Sequence, residues 1–286
     1  MDVAVYPGNY YKPYSSEDSK AKVIYNSEPF IRPIKTVAFD LDETLGNFSD
    51  LNILWNRIQS SSRTQSTFNN LLDIYPEFLR IGILAIMRFL QSKIASGECH
   101  PIYIYTNNQC GTEWVDLIVA YFELKTGVQF ARPICTYKIG STRVESKRTT
   151  HDKTYGDFVQ CSMRQTPFEM CFVDDRNYVS MRRSKVYYIQ PPPYFHPLNS
   201  CEIENRFAVF ATNHSFSVDP SPCSRTKITV GREWRQQQQM ITNKIMYYLR
   251  EYFLMTLLKS GRGKTKKRRK GIGTRKRRGS RIFVQH

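Results

Sequence analysis

The sequence predicts an α/β fold in which helices flank a parallel β-sheet. Three apolar runs carry this prediction. The first is at 37–39, and the other two lie within 100–105 and 169–173; polar side chains follow each of them directly. Helical patterns separate the runs, and such alternation of strands with helices is typical of a parallel sheet. Because open α/β sheets carry their chemistry at the carboxyl ends of the strands, we expect these polar residues to form the functional site.

The first run, at 37–39, predicts a buried strand that ends in two carboxylates. Asp40 and Asp42 follow it, separated by one leucine. The second run is followed by Thr106 and Asn107. A threonine directly after a strand is most often the cap of the next helix. Thr106 is a candidate site residue because it follows the next predicted strand after the one that ends at Asp40.

The third run ends in a second pair of carboxylates, Asp174 and Asp175. Adjacent aspartates can simply cap the helix that follows a strand. However, two strands that both end in paired acids are costly unless a cation neutralises them. We therefore interpret the four aspartates as part of a metal site.

The remaining elements are predicted from apolar spacing and from residues that end helices. We expect four helices, around 51–58, from Leu71 to Ile94 with Gly97 as the stop, over 111–125 and over 233–259. Further strands are expected over 131–137 and 185–189, and the segment at 199–230 has a mixed pattern. Asp-Pro-Ser-Pro at 219–222 marks a boundary. The predicted organisation is a leader at 1–30, a catalytic domain at 31–215, a linker with an amphipathic helix at 216–259, and a disordered basic tail at 260–286.

The composition indicates a folded domain with a strongly basic end. The chain has 286 residues, 41% of them apolar, and a formal net charge of +17. Residues 259–286 contain 13 Lys or Arg and no acidic residue, which leaves 29 basic and 25 acidic residues in the rest. Such a tail repels itself and cannot bury a core, so it suits a polyanion. The seven cysteines form no Cys-x-x-Cys pair, which disfavours a zinc finger and a disulfide scaffold.

The sequence predicts neither a membrane anchor nor a secretory signal. The most apolar segments, at 79–90 and 245–258, are interrupted by Arg88 and Arg250. Each is shorter than the roughly 20 residues that a membrane helix needs. The N-terminus has no basic region followed by an apolar stretch. We expect a soluble, intracellular protein without membrane contact, whose basic tail is suited to nuclear import or to nucleic acid.

The motif Asp-Leu-Asp-Glu-Thr-Leu at 40–45, together with the two later strands, resembles the haloacid dehalogenase-like phosphatases. This variant is most similar to the NLI-interacting-factor-like phosphatases, also known as RNA polymerase carboxy-terminal-domain phosphatases. These enzymes act on phosphoserine in proteins. The resemblance covers residues 36–175, about half of the chain. It implies a Rossmann-like fold. The predicted helix between Asp42 and Thr106 leaves only a short segment for a cap, so we expect a minimal cap and an open site.

The resemblance also implies roles for the acidic residues. Asp40 would be the nucleophile that forms an aspartyl phosphate, and Asp42 the general acid and base. Mg²⁺ would be bound by the Asp40 carboxylate, the Asp42 main-chain carbonyl and Asp175, with Asp174 nearby. Oxygen ligands of this kind suit that ion.

Three further residues would bind the phosphoryl group. The resemblance assigns this role to Thr106, to Asn107 and to a lysine upstream of the last acidic strand. Lys153 is the predicted lysine, and Lys138 and Lys147 are alternatives.

The expected function is Mg²⁺-dependent hydrolysis of phosphoserine or phosphothreonine in a protein partner. Two other functions stay open. Tyr-Thr-Asn-Asn-Gln at 105–109 is similar to the Thr-Asn-Gln motif of polynucleotide 3′-phosphatases, and the tail at 260–286 suits a phosphate backbone. A non-catalytic nucleic-acid-binding or scaffold protein on the same fold is the third hypothesis. The compact core with its Lys, Arg and Gly tail is also similar to proteins of large DNA viruses.

Overall fold

The structure is a computed structural model that describes residues 2–11, 34–163, 168–216 and 231–257. The helices in these ranges are α1 (Ser49–Arg57), α2 (Gln65–Asp73), α3 (Ile83–Ala95), α4 (Thr112–Thr126), α5 (Tyr155–Ser162), α6 (Ser200–Asn213) and α7 (Arg232–Leu254). The strands are β1 (Ala4–Tyr6), β2 (Tyr10–Tyr11), β3 (Lys35–Phe39), β4 (Tyr103–Ile104), β5 (Lys138–Ile139), β6 (Thr142–Arg143), β7 (Glu169–Val173), β8 (Val186–Gln190) and β9 (Thr256–Leu257). Short 3-10 helices lie at Ser60–Ser62, Pro76–Phe78 and Val179–Met181.

In the described part of the chain, the central sheet has five strands in the order β1-β8-β7-β3-β4. Strands β8, β7, β3 and β4 are parallel, whereas β1 pairs with β8 in the antiparallel direction. This confirms the predicted α/β architecture with a mostly parallel sheet, and it is compatible with a Rossmann-like fold. The edge strand β1 lies within the predicted leader, for which the sequence predicted no strand.

The chain crosses from one side of β3 to the other. It runs from β3 to β4 on one side, and the next strand of this sheet, β7, lies on the opposite side of β3. Such a reversal opens a crevice at the carboxyl ends of the two central strands, which is the usual ligand position in open α/β sheets. The fold therefore places β3 and β7 at the edges of this crevice.

The two central strands are buried on both faces. Val37 and Phe39 point into a large core shared with α1 to α4, α6 and α7, and Ala38 points into a smaller core that contains α5. The predicted strand at 37–39 is thus confirmed. Continuous apolar runs such as these are expected for strands covered on both faces.

The C-terminal helix α7 packs against the same core. The predicted helix over 233–259 ends at Leu254 instead, and its residues Ile245, Leu249 and Tyr252 are buried. The buried ammonium of Lys35 donates to the main-chain oxygen of Tyr252 at 2.5 Å. It also forms an ion pair with Glu169 at 3.1 Å. This contact ties the end of α7 to the amino ends of β3 and β7.

The predicted single helix from Leu71 to Ile94 is wrong. The structure divides this segment into α2 and α3, with a 3-10 turn that begins at Pro76 and a left-handed Gly82, φ +78°, before α3. Between them the amide of Arg80 donates to the carbonyl of Leu45 at 2.9 Å. Proline lacks the amide that helix continuation needs. The apolar residues keep a helical spacing across the break, which is why the pattern suggested one helix.

The predicted strand at 131–137 is also wrong. This segment forms only an isolated parallel pair of Ile134 with Tyr105, outside any named strand. Pro133 has no amide to donate to a ladder, so a regular strand cannot continue through it.

The segment at 199–230 contains a helix that the sequence analysis missed. Helix α6 begins after Asn199, whose side chain accepts a hydrogen bond from the amide of Glu202 at 2.8 Å. Ile203, Phe207 and Phe210 are its buried apolar positions. Their spacing of four and three residues, after an asparagine cap, is a helix signal that could have been recognised.

Several predictions concern residues outside the described ranges and stay predictions. They include the boundary at 219–222 and the basic tail at 260–286. Within the described part of the chain, no helix combines the length and the apolar character that a bilayer crossing requires.

Candidate active site

The register of β3 against β7 brings two of the predicted carboxylates together. Phe39 pairs with Val173 in this parallel ladder. The next residues are Asp40 and Asp174, and the Asp40 amide donates to the Val173 carbonyl at 2.9 Å. Neighbouring strands lie about 4.8 Å apart, so residues that follow paired positions lie side by side. The two acids therefore meet at the carboxyl edge of the sheet.

Asp40, Asp174 and Asp175 form a compact cluster of carboxylates. One oxygen from each residue lies within 4.8 Å of the others. Thr44 holds Asp175: its hydroxyl donates to an Asp175 carboxylate oxygen at 3.0 Å and accepts from the Asp175 amide at 3.1 Å. Burial and the Asp40 charge raise the pKa of Asp175. Three carboxylates that lie this close repel one another when they are ionised. They could hold a metal ion, since hard divalent cations prefer oxygen ligands.

Of the three candidate lysines, the structure places Lys153 in the cluster. Its ammonium is buried and donates to the carboxylates of Asp40 and Asp174, the latter at 2.7 Å. Burial alone disfavours the charged amine, but these two carboxylates outweigh it and raise the pKa of Lys153. Lys138 instead lies over the ring of Tyr137, in the small hairpin of β5 and β6.

Burial also raises the pKa of Asp174, although the Lys153 ammonium opposes this shift. The second carboxylate oxygen of Asp174 accepts from the amide of Arg176 at 2.8 Å. Among the described residues of the site, two cationic side chains, Lys153 and Arg176, are outnumbered by five carboxyl groups, those of Asp40, Asp42, Glu43, Asp174 and Asp175. A divalent cation would offset much of the remaining negative charge, so the donor set fits such an ion.

Asp42 lies beside the cluster of three and has its own partner. Its carboxylate accepts a hydrogen bond from the side-chain amide of Asn108 at 2.7 Å. Burial raises the pKa of Asp42 to about 6, against the effect of this hydrogen bond. A carboxyl group with such a pKa can be protonated or ionised near neutral pH, as a general acid and base must be.

Thr106 and Asn107 follow β4 and complete one wall of the site. The Thr106 side chain is buried, and its hydroxyl accepts from the amide of Asn108 at 3.0 Å. The side-chain amide of Asn107 donates to the His151 carbonyl at 2.9 Å and to the Tyr178 hydroxyl at 3.3 Å. The Asn107 side-chain oxygen is buried and has no hydrogen-bond partner among the described residues.

These side chains line a cavity of about 160 Å³. Its residues include five of the seven predicted site residues, namely Asp40, Asp42, Thr106, Asn107 and Lys153. Asp174 and Asp175 lie behind it, in contact with Lys153 and Thr44. The predicted residues are therefore brought together around one small opening.

The sequence analysis missed four residues that also line this cavity, namely Glu43, Asn108, Arg176 and Tyr178. Glu43 has a left-handed backbone, φ +56°, which is strained for a residue with a β-carbon. Burial raises its pKa to about 7, and the charge of Asp42 adds to this effect. Each of the four is adjacent in sequence to a predicted site residue or lies within three residues of one, and that proximity was the only signal.

The loop that carries Asp42 is held by a fully buried arginine. Arg80 donates to the main-chain oxygens of Thr44 and Glu43, both at 2.6 Å, and to that of Pro192 at 2.9 Å. These contacts fix the backbone of the turn after β3.

No protein-family model matches the chain, and no curated protein matches it. The function is therefore inferred from the geometry of the residues described above.

Proposed function

We propose that this protein is a Mg²⁺-dependent phosphatase that hydrolyses phosphomonoesters through an aspartyl-phosphate intermediate. The observation that carries the proposal is the position of Lys153, whose buried ammonium lies between Asp40 and Asp174. Along the chain, an Asp-x-Asp strand is followed by a threonine strand, a lysine and an Asp-Asp strand. This order resembles the haloacid dehalogenase-like phosphatases. A protein that merely binds has no evident need for so costly a cluster of buried carboxylates.

Mg²⁺ is the proposed ion because the available ligands are all oxygens. The carboxylates of Asp40, Asp174 and Asp175 would hold it together with the main-chain oxygen of Asp42, and Thr44 would orient Asp175. When bound, the ion supplies positive charge that offsets the repulsion between an anionic nucleophile and an anionic phosphoryl group.

In the proposed reaction Asp40 forms the bond to phosphorus, and Asp42 transfers the protons. The Asp40 carboxylate attacks phosphorus and forms a new P–O bond while the bond to the leaving oxygen breaks. Protonated Asp42 gives its proton to that leaving oxygen. Asp42 then takes a proton from a water molecule whose oxygen attacks phosphorus, which releases phosphate and regenerates the Asp40 carboxylate. A pKa of about 6 suits both halves of this exchange.

Lys153 and Thr106 would bind the phosphoryl oxygens, whereas the side-chain amide of Asn107 already donates to His151 and Tyr178 and would only shape the wall beside them. The Lys153 ammonium is already desolvated, so its attraction to a phosphoryl group is stronger than it would be in water. The Thr106 hydroxyl is the next donor along the wall. Asn107 lines the same wall of the cavity.

The size of the cavity favours a substrate whose phosphate projects from a larger molecule. About 160 Å³ admits a phosphoryl group with a short stem, and the rest of the substrate must lie outside. Phosphoserine or phosphothreonine in a protein meets this requirement, and it is the substrate class of the carboxy-terminal-domain phosphatases that the chain resembles. A nucleic acid with a 3′-phosphate is the alternative, and the tail at 260–286 would help to bind it.

The first experiment measures hydrolysis of p-nitrophenyl phosphate by the full chain, with Mg²⁺ and with EDTA. Asp40→Asn removes the nucleophile with little change in shape. Asp73→Asn is the matched control, because Asp73 is a partly exposed aspartate that binds Lys125 at 2.7 Å, away from the cavity. We expect Mg²⁺-dependent turnover in the wild type and in Asp73→Asn, and none in Asp40→Asn.

The second experiment compares substrates under the active conditions. Phosphoserine peptides and 3′-phosphorylated oligonucleotides are supplied at equal concentration, and released phosphate is measured. Faster turnover of the peptides supports a protein phosphatase, and faster turnover of the oligonucleotides supports the alternative. Absence of Mg²⁺-dependent turnover on every substrate, from folded wild-type protein, would refute the phosphatase proposal and favour a binding or scaffold function.

A further inference from the structure

Arg148 is fully buried, yet within the described ranges it forms no ion pair with a carboxylate. Its guanidinium donates instead to four main-chain oxygens. One nitrogen binds the carbonyls of Thr106, at 3.0 Å, and Cys135, at 2.9 Å. The other binds those of His151, at 3.0 Å, and Asp152, at 3.3 Å. Arg148 thus joins the end of β4 to the two residues that precede Lys153.

Tyr105 holds the residue on the other side of Lys153. Its hydroxyl accepts from the amide of Thr154 at 3.0 Å and lies 3.3 Å from the Thr154 carbonyl. The guanidinium of Arg148 lies over the Tyr105 ring, 4.9 Å from its centre. The arginine and the tyrosine therefore pack against each other, and together they contact the backbone on both sides of Lys153.

We propose that Arg148 and Tyr105 are positioning residues for Lys153. This inference rests on the proposed function, since it concerns the lysine that would bind the phosphoryl group. The lysine side chain is long and flexible, so two carboxylates alone do not determine where its backbone lies. Contacts on Asp152 and Thr154 fix the backbone on both sides. They also link it to Thr106, so that the two phosphate-binding groups keep a constant separation.

Loss of these backbone contacts should lower the rate of hydrolysis by a measurable factor. Misplacement of a binding group by about 1 Å can lower a rate about 100-fold. Arg148→Lys keeps the charge but cannot reach all four carbonyls, so we expect kcat to fall about 100-fold. Tyr105→Phe removes only a hydroxyl and keeps the ring, so we expect a smaller fall, about 10-fold.

The test combines kinetics with a spectroscopic signal that needs no activity. Full-length wild type, Arg148→Lys and Tyr105→Phe are assayed with p-nitrophenyl phosphate and Mg²⁺. The ¹H–¹⁵N resonance of the Lys153 ammonium is recorded in the same samples and assigned by its absence from Lys153→Met. Tyr75→Phe is the matched control, because its hydroxyl is also buried and donates to a carbonyl, that of Ile203 at 2.6 Å.

We expect both variants to lower kcat and to shift or broaden the ammonium resonance, whereas Tyr75→Phe changes neither. If Tyr105→Phe keeps the wild-type kcat and the wild-type resonance, the positioning role is overturned, even if Arg148→Lys fails to fold. If the wild type itself releases no phosphate, the proposed function fails. The resonance then decides the positioning role alone: a shift in Tyr105→Phe supports it, and an unchanged signal overturns it.

Discussion

Replacement of Asp42 by asparagine is predicted to make the protein more stable and less active. The Asp42 carboxyl is partly buried and lies beside other carboxylates, so its ionised form is unfavourable in the folded chain. Burial raises its pKa from 3.8 to about 6. Asparagine has nearly the same shape and cannot ionise. The substitution therefore removes an electrostatic cost and leaves the packing almost unchanged.

The size and pH dependence of the gain follow from this shift. A difference of about 2 pKa units corresponds to about 3 kcal/mol in the free energy of unfolding. Because the pKa is raised on folding, the stability contributed by Asp42 is fully present below pH 3.8 and is lost as pH rises through about 6. About half of the cost is already present at pH 5. The gain from Asp42→Asn should thus be about twice as large at pH 8 as at pH 5.

Urea unfolding in EDTA measures this gain, since a bound cation would stabilise the ionised carboxylate. Wild type, Asp42→Asn and the control Asp73→Asn are compared at pH 5 and pH 8. Asp73→Asn should give no gain in stability, because that side chain is 42% exposed. A gain in Asp42→Asn that is absent at pH 8, or equal at the two pH values, would contradict the electrostatic explanation. Turnover of phosphoserine peptides should fall in the same variant, since its proton donor is lost.

Three further substitutions test other parts of the structure. Lys153→Met leaves two buried carboxylates without their ammonium, so we expect a loss of about 3 kcal/mol in urea unfolding with EDTA, and a smaller loss with saturating Mg²⁺. Equal losses in the two conditions would argue against a metal site. Thr44→Val removes the hydroxyl that orients Asp175, and Mg²⁺ affinity measured by calorimetry should fall about 10-fold or more. Unchanged affinity would show that the Thr44 hydroxyl does not orient a metal ligand. Lys35→Met breaks the buried pair with Glu169 at the opposite edge of the sheet, which should cost about 3 kcal/mol in unfolding and leave kcat of the folded protein unchanged. A large fall in kcat would indicate that this edge communicates with the site.

Local patterns were sufficient for the central strands. The runs at 37–39 and 170–173 are apolar at every position because both faces of the sheet are covered, and an aspartate follows each of them. Strand length and burial depend mainly on the residues of the strand itself. The prediction of a parallel sheet with acids at its carboxyl edge followed from such runs and from the helical patterns between them.

Local patterns failed where a distant contact or a single residue overrides the spacing. The helix predicted from Leu71 to Ile94 is interrupted at Pro76, and Arg80 uses the break to reach the loop after β3. Strand β1 joins the sheet only through its antiparallel pairing with β8, which is far from it in the sequence. Neither contact has a signature in the neighbouring sequence.

The sequence by itself determined which polar residues stand at the strand ends and in what order they occur. That much is local, because a strand and the residue after it are adjacent in the chain. The tertiary structure decided which groups meet: it places the ammonium of Lys153 against Asp40 while Lys147 is exposed, pairs Asp42 with Asn108, and buries Arg148 among carbonyls. These contacts depend on strand register and on segments tens of residues apart, and no short pattern specifies either of them.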